Sequence, residues 1–291
     1  MPVSQAHAVI AISSHVMRGS VGNRASVFAL ESLGFPVWSV PTVVLPWHPG
    51  HGPSTRLLFD HTHFDQALAD LERSPWISEV RAVMTGYFGS PSQPLAAARL
   101  IAALKAKNPD LVYLCDPVMG DLSGLYVPEA TATAIRDHLI PLADIATPNR
   151  YELAWMAGAR LDSNNDIIEA ALSLGPACMA VTSAVPMMAG SIGNLLLSSR
   201  HALLAEHRAI EGAPNGLGDL FSALLLARLL QGSDEEKALQ TATASVYEIL
   251  ARTLKRESNE LTLQQDQSSL ANPMALVQVR RLVHPASRPV R

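Results

Sequence analysis

The 291-residue chain is 48% hydrophobic and carries a formal net charge of −4, which supplies a sizeable core and excludes a disordered chain. Lysine is confined to Lys105, Lys107, Lys237 and Lys255, so with the mildly negative charge nucleic acid is not expected as a partner. No run of about 20 apolar residues offers a membrane span, and Cys115 and Cys178 show neither a zinc spacing nor a secreted disulfide pattern, so a cytoplasmic location is expected.

In chain order, "AVIAIS" near residue 8 reads as a first strand, followed by the helical stretch "NRASVFALESLG", which Gly34 and Pro36 end. A second strand, "VWSVPTVVL", leads into "PWHPGHGPSTRLLFDHTH". Its prolines and the histidines His48, His51, His61 and His63 break the rhythm, so this segment reads as a long loop or flap. The strand "AVMTG", the helix "PLAAARLIAALKAKN" and the strand "LVYLCDP" come next, and "ADIATP", "CMAVTS" and "NLLLSS" supply further strands. A buried helix starts at "GLGDLFSALLLARLL", and another starts at Ser233, with Glu236 completing a capping box. Several strands are apolar on consecutive positions, as strands covered on both faces are. The pattern predicts a three-layer α/β/α fold with a mainly parallel central sheet. Residues 1–279 read as one domain, and residues 280–291, "RRLVHPASRPVR", as a loose tail.

In a parallel sheet, ligands gather beyond the carboxyl ends of the strands. Those ends carry Ser14, then Tyr87, then Asp116, then Thr147 and Asn149, then Thr182 and Ser183. Each alone has a local reading as a turn or cap residue; together they favour a site. Asp116 and Asp121 in "CDPVMGD", with Glu152 three residues after Asn149, offer hard oxygen donors that suit Mg2+ better than zinc. Equally, Asn149 and Glu152 read as the cap of the helix "RYELAWMAG". Gly216, Leu217 and Gly218 precede Asp219 where a helix begins, so their backbone N–H groups form an anion seat; an ordinary glycine turn is the competing reading. No P-loop motif is present, and Phe221 stands where a dinucleotide fingerprint needs a small residue.

Five stretches, "SSHVMRGSVGNRA", "MTGYFGS", "LVYLCDPVMGD", "PLADIATPNRYE" and "GLGDLFSALLLA", resemble in order and spacing the bacterial pyridoxal kinases of the ribokinase-like superfamily. The resemblance runs over most of the chain. It implies ATP-dependent phosphorylation of the 5′-hydroxyl of pyridoxal, with pyridoxine and pyridoxamine as related substrates. It also implies a Mg2+ requirement, often a monovalent cation (K+ or Na+), and a homodimer. By the same resemblance Asp219 is the catalytic base, and Gly216, Leu217 and Gly218 form the anion hole. Ser14, Val21, His48 and Tyr87 belong to the substrate pocket, while Asp116, Asp121, Tyr126, Thr147, Asn149, Thr182 and Ser183 belong to the nucleotide side, with Asp116 and Glu152 near the metal. Three positions depart from the family: Leu217 replaces a threonine, and in the flap Pro49 and His51 replace a threonine and an aromatic. A hydroxymethylpyrimidine kinase shares the scaffold and is the alternative enzyme; a non-catalytic vitamer-binding protein and a dehydrogenase are the other readings.

Overall fold

The computed structural model describes residues 7–284. The strands are β1 (Ala8–Val16), β2 (Val37–Leu45), β3 (Leu57–Leu58), β4 (Val80–Thr85), β5 (Val112–Cys115), β6 (Gly120–Asp121), β7 (Gly124–Leu125), β8 (Ile145–Ala146), β9 (Cys178–Ala184), β10 (Ser191–Ser198), β11 (Ala202–Arg208) and β12 (Gln278–Arg281). The α-helices are α1 (Asn23–Ser32), α2 (His61–Arg73), α3 (Ser92–Lys107), α4 (Glu129–Ala134), α5 (Arg150–Ala157), α6 (Asn164–Leu174), α7 (Leu217–Leu230), α8 (Glu235–Lys255) and α9 (Ser268–Ala271).

Ten strands form one sheet in the order β12-β11-β10-β9-β8-β5-β4-β1-β2-β3. The six from β9 to β2 are mutually parallel, as the alternation of strand and helix requires. Beyond β9 the sheet turns antiparallel through β10, β11 and β12. Only short turns join β9 to β10 and β10 to β11, and without a crossover helix a neighbouring strand must reverse. The sheet is therefore mixed, and the strand-end polar residues singled out in the sequence belong to its parallel half.

Successive side chains of β1 enter opposite cores. Ile10 and Ile12 pack with Phe64, Leu68, Leu100 and Ile101 beneath α2 and α3, whereas Val9 packs with Ala25, Leu30, Leu220 and Leu224 beneath α1 and α7. α7 is apolar around much of its circumference because eight of its residues, Leu220 to Ala227, are buried.

Three expectations are corrected. The segment read as flap contains β3, and its last residues open α2, whose start is capped by Asp60 accepting from the Thr62 N–H. The cap of α8 is Asp234, which accepts from the Lys237 N–H at 2.8 Å, rather than Ser233. The expected loose tail begins too early at residue 280. Arg280 and Arg281 belong to β12, and the Leu282 N–H donates to the Ala202 carbonyl at 2.7 Å. The later part of that tail, residues 285–291, lies outside the described residues.

Candidate active site

The parallel ladder extends past the strand ends and sets the polar residues side by side. The Gly86 N–H donates to the Ile12 carbonyl, Asp116 N–H to Thr85, Thr147 N–H to Cys115 and Thr182 N–H to Pro148, all at 2.9–3.0 Å. A cavity of about 540 Å³ opens over this edge, a size suited to a small ligand. Every candidate residue except Leu217 lines it. The Leu217 side chain packs instead against the core beneath α7, so the family threonine is replaced without placing a bulky group in the cavity.

Asp219 sits in the first turn of α7 and is partly buried at the cavity wall. Its Oδ2 accepts from the Gly22 N–H at 2.9 Å. Burial pushes the carboxyl up to about 6, while that N–H pulls it down. α2, α5, α6 and α8 each begin with a side-chain cap, but none caps α7, whose N-terminal residue Gly216 takes φ 97°. Gly216 and Gly218 at this helix start line the cavity, and the positive end of a helix dipole favours an anion.

On one side of Asp219 lie groups suited to an aromatic alcohol. Ser14 and Val21 are buried at the wall. The Ser13 hydroxyl accepts from the Tyr87 N–H at 3.1 Å, and the Tyr87 hydroxyl accepts from Arg56 Nη2 at 2.9 Å. His48 Nδ1 accepts from the Gly50 N–H at 3.0 Å, which tells against metal ligation through that nitrogen. Burial, then the neighbouring His51, hold the His48 imidazole below its usual range.

The other side gathers acids. Glu152 Oε1 accepts from the Met119 N–H at 2.9 Å and Oε2 from the Asn149 N–H at 2.8 Å, while the Glu152 N–H donates to Asn149 Oδ1. The capping reading of Asn149 and Glu152 is therefore correct, yet both also line the cavity. Asp116 Oδ2 accepts from the Ser222 hydroxyl at 2.9 Å, and Ser222 is in turn 2.7 Å from Thr147 Oγ1. Burial, then the charges of Glu152 and Asp219, hold the Asp116 carboxyl well above the usual carboxylate range. Asp121, by contrast, is exposed, and the Ser123 N–H and hydroxyl hold it below that range in the β6–β7 hairpin. Tyr126 borders the same side. Ser183 takes φ 55° at the end of β9, a left-handed backbone that is uncommon outside glycine and clusters at ligand sites.

Sequence reading missed Arg56, Gly22, Asn215 and Ser222. Ser222 stands three residues after Asp219, one helical turn along the same face, which is the signal that finds it. Arg56 lies in irregular chain and has no such signal.

A family model described as phosphomethylpyrimidine kinase matches residues 78–264. A pyridoxal kinase PdxY of Leifsonia xyli subsp. xyli is 34% identical over 280 residues, 94% of this chain and 99% of its own length. The chain belongs to the pyridoxal kinase family. Another relative, the pyridoxine/pyridoxal/pyridoxamine kinase of Bordetella bronchiseptica, is 39% identical over 265 residues, 88% of this chain and 92% of its own. The pyridoxal kinase from Leishmania donovani in complex with ADP and pyridoxamine matches with a TM-score of 0.89 at 27% identity, over 95% of this chain and 100% of that one. The ribokinase-like fold expected from the sequence is thus the pyridoxal kinase fold, and this membership sets aside the dehydrogenase and the non-catalytic carrier.

Proposed function

We propose that this pyridoxal kinase moves the γ-phosphoryl group of ATP to the 5′-hydroxyl of pyridoxal, with Asp219 and the first turn of α7 as its catalytic elements. The observation that carries the reading is one carboxylate, fixed by the Gly22 N–H, beside a helix start that no side chain caps, within a single cavity. Ser14, Val21, His48 and Tyr87 hold the vitamer ring, and Thr147, Asn149, Thr182, Ser183 and Tyr126 take the nucleotide. With Oδ2 held by Gly22, Asp219 Oδ1 orients the hydroxyl and accepts its proton late in a loose transition state, while the α7 amides stabilise the charge on the moving group.

The acid side fits a hard cation held partly through water. Among the described residues no group of three or more His, Cys, Asp or Glu is placed to ligate a metal directly. Both Glu152 oxygens serve the main chain, whereas Asp116 is hydrogen-bonded by Ser222 through Oδ2. Asp116 is the protein ligand in this reading and Glu152 adds charge without direct contact; a monovalent cation belongs to the same acidic surroundings. Mg2+ supplies charge neutralisation for the phosphates. Asp121 in the hairpin contributes at the nucleotide side.

The pH dependence separates these roles. Deprotonated Asp219 is the working form, so with Mg2+ saturating at every pH kcat/KM falls with acidity below pH about 6. A profile flat down to pH 5 removes Asp219 as base. Stability runs the other way. A carboxyl whose folded-state pKa stands above its unfolded value contributes stability at low pH that is lost as pH rises through the folded value. Asp219 at about 6, Glu152 raised by burial to about 8 and the raised Asp116 all do so. Mg2+ alone therefore raises Tm more at pH 8 than at pH 6, read by differential scanning fluorimetry; the reverse order places no cation at Asp116.

The hydroxymethylpyrimidine kinase reading keeps one supporting observation, the family model matched over 78–264. That match leaves out Ser14, Val21, His48 and Arg56, which build the substrate side in this reading, and the relatives similar over 94% and 88% of the chain are a pyridoxal kinase and a pyridoxine/pyridoxal/pyridoxamine kinase. ADP release measured with pyridoxal, pyridoxine, pyridoxamine and hydroxymethylpyrimidine decides between them. Turnover of a B6 vitamer is expected; turnover of the pyrimidine alone overturns the proposal.

Leu57, Leu58 and Phe59 are 51%, 47% and 44% exposed at the β3 edge of the sheet, and we assign the homodimer contact to this apolar strip. The unpaired Cys115 and Cys178 fit a reducing cytoplasm.

A further inference from the structure

We propose that Glu260 is a positioning residue that ties closure of the substrate flap to the geometry of the catalytic turn. Glu260 follows α8, far in sequence from both elements it joins. Its Oε1 accepts from His51 Nε2 at 2.8 Å, and its Oε2 accepts from the Ser20 N–H at 3.1 Å. Arg18 Nη1 stands 3.5 Å from Oε1. The carboxylate is only 13% exposed, so these partners replace water.

Both partners reach the cavity within a few atoms. His51 ends the short turn Pro49–His51, and its neighbours His48 and Pro49 line the substrate side. Ser20 belongs to the loop 19–22. A Cβ on Gly216 would meet the Ser20 carbonyl oxygen at 2.1 Å, so that carbonyl fixes where α7 begins. Two residues on, Gly22 donates to Asp219. The loop in turn accommodates Glu260. Gly19 takes φ 111°, and a Cβ there would lie 2.6 Å from Glu260 Oε1, so only glycine lets the carboxylate approach.

Glu260 itself is held from behind. The Ser258 hydroxyl donates to the Glu260 carbonyl at 2.7 Å, and the Ser20 hydroxyl donates to the Leu261 carbonyl at 3.0 Å. A carboxylate fastened on both sides transmits position rather than following it. Binding energy released when a vitamer draws the flap down thus also steadies the loop that holds Asp219.

This inference rests on the assignment of Asp219, and the test keeps the two apart. His51→Ala and Glu260→Gln each cut the tie to the flap while Glu260→Gln keeps an acceptor for Ser20; each raises KM for the vitamer about fivefold or more and lowers kcat about threefold or more, with KM for ATP within about twofold. The double variant has a vitamer KM no higher than that of the worse single, because both remove one interaction. Glu260→Ala also frees the loop and lowers kcat further. Unchanged vitamer KM in both single variants, or strictly multiplicative effects in the double, overturns the proposal. If Asp219→Asn keeps wild-type turnover, the catalytic assignment fails instead; if that variant is inactive and the His51 and Glu260 variants match wild type, only this inference fails.

Discussion

Asp219→Asn lowers kcat by about 10²–10⁴-fold while ATP still binds. The amide is isosteric and keeps an oxygen to accept from the Gly22 N–H, so the fold of the first turn survives. What it loses is the capacity to take a proton from the attacking hydroxyl. Burial that raises the Asp219 carboxyl to about 6 also makes it a better acceptor than an ordinary aspartate at neutral pH. The removal of a partly buried charge beside Asp116 and Glu152 relieves repulsion, so the variant is expected to have a Tm at or above that of wild type. Single-turnover kinetics with isothermal titration of ATP separate lost chemistry from lost binding. Wild-type kcat in the variant excludes Asp219 as base.

Gly216→Ala is the second large effect, and its origin is steric. Residue 216 takes φ 97°, where a side chain is strained, and a Cβ would stand 2.1 Å from the Ser20 carbonyl oxygen. Backbone atoms are on both sides of this clash, so the first turn of α7 must tilt away from the loop 19–22. The turn carries both the anion-binding amides and Asp219, so kcat falls by about 10²-fold or more. Gly218→Ala is the control in the same turn. A Cβ at 218 meets nothing within 4 Å, so the fold of that variant is unstrained, and any loss it shows comes from crowding the phosphoryl group rather than from the backbone. Equal Tm and equal kcat for Gly216→Ala and wild type contradict the proposed role of the turn.

Much of the site was legible because its residues sit at strand ends, where a parallel sheet leaves few directions for a polar group. Asp116, Thr147 and Thr182 each directly follow an apolar run that reads as a strand. Asp219 stands directly after a stretch with two glycines at the mouth of a buried helix, a pattern that an ordinary helix start does not need. The antiparallel half of the sheet was less legible. "ALLAEHR" ends in polar residues that look solvated, yet Glu206 is buried, accepting from the Met187 and Met188 N–H groups and pairing with Arg280 at 2.9 Å. That pairing also draws 280–281 into β12, which hid a strand behind the charges of "QVRR". Arg56 and Glu260 escaped for a different reason. Their importance comes from contacts 31 and 240 residues away in sequence, and a spacing argument sees only neighbours.

The eight buried residues of α7 have a mechanical consequence. Pinned in hydrocarbon along its length, this helix behaves as an anvil whose face does not travel during the reaction cycle. Under the proposed site assignment, entry and exit of reactants are then accommodated by the Pro49–His51 turn on the vitamer side and the β6–β7 hairpin on the nucleotide side. Engineering that aims at faster release should alter those two short pieces and leave the anvil untouched.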